Sequence, residues 1–192
     1  MSIADAINDS FEVTLPEVVV DFLEDEPDER TLSLKKGFLR GTFEVDFGAE
    51  ELANLEELCE VQWIDEGDTL AEEWKETFGQ LVPLALLTDE DADSDSDPVK
   101  SFLAVDAGNP KAPVYVWDSD GWMVYLLASS FEDFLAGKAP ARNALAKIES
   151  TIVDKKHVSK VPYEAYEWSD EEDDDEDDED EDDDDEDEDD DE

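Results

Sequence analysis

Basic residues are scarce in this chain of 192 residues: 13 Lys and Arg stand against 61 Asp and Glu, a formal net charge of −48. That shortage excludes a nucleic-acid binder that works by neutralising phosphates, because every such contact needs a cation. It equally disfavours docking on an anionic membrane surface. A single cysteine, Cys59, excludes an internal disulfide. The longest apolar run, Leu81–Leu87, is far short of the roughly 20 residues that span a bilayer as a helix. The first basic residue is Arg30, so the charged start of a secretory signal is missing. These absences lead to the expectation of a soluble, cytoplasmic protein.

Catalytic chemistry is equally thin. No glycine-rich phosphate loop, zinc-spaced Cys/His cluster or GxSxG elbow occurs. The one histidine, His157, stands in the basic stretch Lys155-Lys156-His157 outside any apolar pattern, and reads as a surface residue. Cys59 follows Leu52, Leu55 and Leu58 at helical spacing and reads as core. Residues 91–97, Asp-Ala-Asp-Ser-Asp-Ser-Asp, begin like a calcium loop. They fail at the sixth position, Ser96 in place of Gly, and at the twelfth, Phe102 in place of Glu. The expectation is no enzyme, no cofactor and no metal.

What the chain has in excess is acid. Residues 170–192 are 23 consecutive Asp and Glu, which leaves 38 acidic against 13 basic groups, a net of −25, in residues 1–169. All the apolar residues lie in that body, which is long enough for one core. Thr14-Leu15-Pro16-Glu17 reads as a capping box that opens a helix with Val18, Val19, Phe22 and Leu23 on its apolar face. Thr31–Leu34 and Phe38–Phe47 read as extended runs, followed by helices from about Ala49 and over Thr69–Phe78. Leu81–Leu87, Val99–Val105, Val114–Trp117 and Trp122–Leu127 read as an antiparallel meander. Ser129 or Ser130 caps a helix carrying Phe131, Phe134 and Leu135, and Gly137 closes it. Ala141, Leu145, Ile148 and Ile152 predict a last helix over about 140–153. Tyr163, Tyr166 and Trp168 read as a strap packed on the domain, or as an aromatic recognition segment. The predicted class is α+β: an antiparallel or mixed sheet packed with helices in a single domain, plus a disordered acidic tail.

Four blocks in order resemble the SUKH superfamily of bacterial immunity proteins and fungal cell-wall-assembly regulators. They are Val82-Pro83-Leu84-Ala85, Phe102-Leu103-Ala104-Val105-Asp106, Pro113-Val114-Tyr115-Val116-Trp117-Asp118 and Ala128-Ser129-Ser130-Phe131-Glu132-Asp133-Phe134-Leu135. Leu15-Pro16 with Phe22-Leu23 is similar to the family's first helix. The family's glycines after that helix are replaced by Glu24-Asp25-Glu26-Pro27-Asp28, and its pattern contains no acidic tail. The resemblance divides the chain into a SUKH-like domain (1–137), a C-terminal helix and aromatic strap (138–169) and the tail (170–192). It implies core roles for Trp117, Phe131 and Phe134 and a strand-end or turn role for Asp106. It further implies a protein that binds and neutralises a toxin, most often one acting on nucleic acid through a basic cleft.

The expected partner is therefore a basic protein, with no nucleic acid and no membrane. An extended acidic tail has nearly the linear charge density of a nucleic-acid strand, since both carry a charge about every 3.4 Å. Its steering would act mainly on association rate and partner choice. Candidate contact residues are Asp89, Glu90, Asp91, Asp93, Asp95, Asp97, Asp118, Asp120, Asp170, Glu171, Glu172 and Asp173. The alternatives are an acidic, chaperone-like scaffold for basic proteins, and adaptation to a high-salt cytoplasm. A first prediction concerns the boundary at 170. Deleting residues 170–192 should leave the melting temperature unchanged or slightly raised, and a loss of cooperative unfolding would contradict it.

Overall fold

The computed structural model describes residues 2–25, 30–35, 39–47, 70–89, 101–118, 122–148 and 152–170. Within them lie helices α1 (Ile3–Phe11), α2 (Glu17–Glu24), α3 (Leu70–Phe78) and α4 (Phe131–Leu135). The strands are β1 (Arg30–Leu34), β2 (Gly41–Asp46), β3 (Leu81–Asp89), β4 (Ser101–Asp106), β5 (Val114–Asp118), β6 (Met123–Ala128) and β7 (Tyr166–Asp170). The class is α+β, as expected. One sheet runs β6-β5-β4-β3-β2-β1-β7, a six-strand meander with β7 added beside β1. Every strand pair is antiparallel.

The sheet is strongly curled, and chain length alone requires it. Ser159 N–H donates to Val124 O at 2.8 Å and Tyr163 N–H to Leu126 O at 2.9 Å, along the free edge of β6. Three residues later Tyr166 is paired with Leu34, on the far side of β1. Three residues reach at most about 11 Å. Across a flat sheet with strands about 4.8 Å apart, the same two positions would lie about 34 Å apart. Residues 159–170 therefore link the two edges of the meander, bonding β6 at one and pairing with β1 at the other, in a sheet bent back on itself.

Burial follows the curl. Every residue of β4 and β5 is buried, so these strands carry apolar side chains on both faces. β1 and β2 alternate, with Leu32, Leu34, Phe43 and Val45 inward and Glu44 and Asp46 in solvent. One aromatic layer joins α3 to the sheet: Trp74 meets Phe78, Phe102, Trp117 and Trp122 at ring separations of 4.3–6.1 Å. The Trp74 indole N–H donates to Leu81 O at 2.8 Å, which satisfies the only polar atom of that side chain. A second layer joins α2, α4 and β7 through Phe22, Phe47, Phe131, Phe134 and Trp168. The core roles of Trp117, Phe131 and Phe134 hold, since none is exposed. Asp106, fully buried at the end of β4, accepts from Gly108 N–H at 3.1 Å, a strand-end turn as expected.

Several expectations are corrected. Thr14 does not cap. Helix α2 starts at Glu17 with Pro16 as N-cap and no side-chain capping bond, so Thr14 lies too far upstream to reach the first turn. Its neighbour Leu15 instead donates its N–H to Asn8 Oδ1 at 2.8 Å. The reciprocal box lies earlier and opens α1: Ser2 Oγ accepts from Asp5 N–H, and Asp5 Oδ2 accepts from Ser2 N–H. These bonds hold the Asp5 carboxyl below its ordinary value. The predicted helix over 140–153 is reduced, among the described residues, to one 3-10 turn at Leu145–Lys147. Ala144 is buried where the helical stripe required Ala141, and Asp154 N–H is tied to Thr77 O at the end of α3. Tertiary anchoring overrides local propensity there. His157 is half-buried rather than free on the surface: its ring meets Phe78 and Trp122 edge-on, with Nδ1 2.8 Å from Trp122 O. Cys59 and the helix from Ala49 lie outside the described residues.

The strap carries a pH dependence. Tyr163 is buried and accepts a bond from Leu39 N–H; burial pushes its phenol up to about 12. Burial also raises Tyr166, whose hydroxyl proton is shared among the carbonyls of Asp133, Phe134 and Lys138. A phenol raised in the folded state contributes full stability below the unfolded value near 10, and loses it as pH rises through the folded value. For Tyr163 that loss amounts to about 3 kcal/mol between pH 10 and 12. The urea midpoint should fall steeply from pH 9 to pH 11.5, and less steeply in Tyr163→Phe. Equal slopes in the two proteins would contradict this origin.

Candidate protein-binding surfaces

The acidic residues singled out in the sequence distribute unevenly. Asp89 ends β3 opposite Phe43 of β2. Asp118 ends β5, paired with Ser101 of β4, which in turn pairs with Leu87 of β3. The residues flanking 90–100 and those flanking 119–121 therefore lie at the same end of the sheet. Glu90, Asp91, Asp93, Asp95, Asp97, Asp120, Glu171, Glu172 and Asp173 themselves fall outside the described residues. Asp118 is a correction. Only 1% exposed, it cannot serve as a surface contact; its charge instead raises the phenols of Tyr125 and Tyr163, after the larger effect of their burial. Asp170 is the last residue of β7, opposite Arg30 in the ladder.

The opposite end of the sheet has a different character. There the β4–β5 turn, Gly108 to Lys111, faces the segment after α4 across a cleft of about 560 Å³. Its polar lining is Asn109, Lys111, Ser129, Asn143 and Lys147. The turn is well built: Asn109 Oδ1 accepts from Lys111 N–H at 3.1 Å, and Lys111 O accepts from Phe131 N–H at 2.9 Å. A second cleft of about 530 Å³, which includes Arg142, Lys160 and Glu164, flanks the same 140–148 segment. In residues 138–160 six basic side chains stand against Glu149 and Asp154.

Three of these cations have exposed partners: Lys138 with Asp133 at 3.6 Å, Arg142 with Glu164 at 3.9 Å and Lys156 with Asp154 at 3.4 Å. Such pairs contribute little to stability. Among the described residues, Lys111, Lys147, Lys155 and Lys160 have no ion-pair partner. The charge imbalance of 138–160 is visible in the sequence. Lys111 joining it across a cleft is not, because nothing local links residue 111 to residue 147.

Among the described residues no group of His, Cys, Asp and Glu could hold a metal ion, and no helix is long and apolar enough to cross a membrane. No protein-family model, no curated protein and no solved structure matches the chain.

Proposed function

We propose that the protein is a non-catalytic binding protein for a basic protein partner. The observation that carries the reading is the register Leu87–Ser101–Asp118, which anchors both acidic connections, 89–97 and 118–120, at one end of the sheet. The described ends of the two connections lie at one end of the sheet, and both connections are acid-rich in sequence. A basic cleft built to grip a polyanion is a complementary surface. The resemblance to SUKH proteins sharpens this to an immunity protein that occupies a toxin domain acting on nucleic acid.

The test starts from affinity capture on the full chain, with identification of the bound protein by mass spectrometry and measured association kinetics. The reading predicts one stoichiometric partner with a strongly basic domain. Its on-rate should fall about tenfold or more between 50 and 300 mM salt, while the off-rate changes less. A neutral or acidic partner, or an on-rate indifferent to salt, would contradict it. Many basic proteins bound without fixed stoichiometry would favour the scaffold reading instead.

A further inference from the structure

The acidity of this protein makes the cationic strip over residues 138–160 conspicuous. We propose that residues 171–192 dock, within their own chain, on the basic cleft of Lys111 and Lys147 and the strip that continues from it toward Lys160. This does not depend on the proposed function and needs no partner.

Three observations carry it. The first is complementarity. Residues 171–192 are all Asp or Glu, 22 carboxylates. Lys111 and Lys147 in one cleft and Lys160 in the next have no ion-pair partner among the described residues. The attraction is local to those lysines, since the net charge of −48 repels the acidic segment from the rest of the surface.

The second is where the chain goes. β7 begins at Tyr166, beside Leu34, and ends at Asp170, beside Arg30. Followed through the antiparallel ladder, Asp170 stands level with Leu87, Ser101 and Asp118, and the chain leaves it running toward the end that carries the β4–β5 turn and Lys111. The curl that lets 163–166 pass from β6 to β1 also brings the exit laterally close to the segment after α4. Residues 171–192 reach about 75 Å when extended, several times the length of β7. The tether therefore permits the contact with residues to spare, at an effective concentration in the millimolar range.

The third is the shape of the receiving surface. The cleft is open, and its polar lining beyond the lysines consists of amide and hydroxyl groups, Asn109, Asn143 and Ser129. These can donate to carboxylates at several positions along a strand, and among the described residues no carboxylate side chain lines that cleft. A repetitive acidic segment suits such a surface, because any register satisfies it.

Zero-length carbodiimide coupling of the full-length protein, with the cross-linked peptides mapped by mass spectrometry, tests the contact. Lys111 and Lys147 should couple to residues 171–192 at least about fivefold more often than Lys75, which lies in an exposed pair with Glu12 on the α1–α3 side. The preference should vanish in 0.5 M sodium chloride. A one-to-one mixture of isotopically light and heavy protein should give links within one label only. Links spread over all lysines according to exposure would overturn the proposal, as would links only between labels. In full-length Lys111→Gln/Lys147→Gln, amide resonances of Asn109 and Asn143 should lose the salt-dependent shifts seen in the parent. Salt-insensitive resonances in the parent would count equally against it. None of these outcomes bears on whether a basic partner exists.

Discussion

The structure depends on one short covalent bridge: three residues between Tyr163, bound to the edge of β6, and Tyr166, bound beside β1. A meander of six strands has two free edges, and free edges invite pairing with other chains. Here a single segment bonds to both, and its shortness forces the sheet to curl. β4 and β5 are buried throughout; side chains of α3 close one side of them, and α2 packs on α4. Tyr163 and Tyr166 lock the bridge from its two ends, one by accepting from Leu39 N–H, the other by donating into the carbonyls after α4.

This arrangement explains how so acidic a chain holds a core. Self-repulsion at high net charge opposes compaction. It is offset by aromatic burial of unusual density: Trp74, Trp117, Tyr115, Phe78, Phe102, Phe131 and Phe134 are all under 2% exposed. Each such side chain contributes about 2–3 kcal/mol by area alone. Exposed charge lies on Glu44, Asp46 and Glu167, while two carboxylates at strand ends, Asp106 and Asp118, are buried. At the β4–β5 turn Lys111 shares a cleft with Lys147.

The meander was legible because its signals are local. Val114 to Trp117 is β-branched and aromatic, Gly108-Asn109-Pro110 is a turn, and Ser130 with Asp133 announces α4. α1 escaped the sequence reading although its signal is local, in the Ser2–Asp5 box and the spacing of Ile3, Ile7 and Phe11. The segment 140–153 misled because its apolar spacing fits a helix, while its position is decided by distant partners such as Thr77. Asp118 misled for a related reason. Before Ser119-Asp120-Gly121 it reads as a turn residue, and only the closing of β6 and the strap buries it. Closure itself has no local signature, since it joins residues 34, 126, 163 and 166.

If one bridge holds the sheet closed, the amides it protects must open only with the whole domain. Native-state hydrogen exchange reads this directly at Ser159 and Tyr163, which bond β6, and in the β1–β7 ladder. The account predicts that these amides exchange with the same free energy as the buried centre of β4, and with the same dependence on denaturant. Exchange of the strap amides by a local opening well below the global value, with β4 still protected, would contradict it.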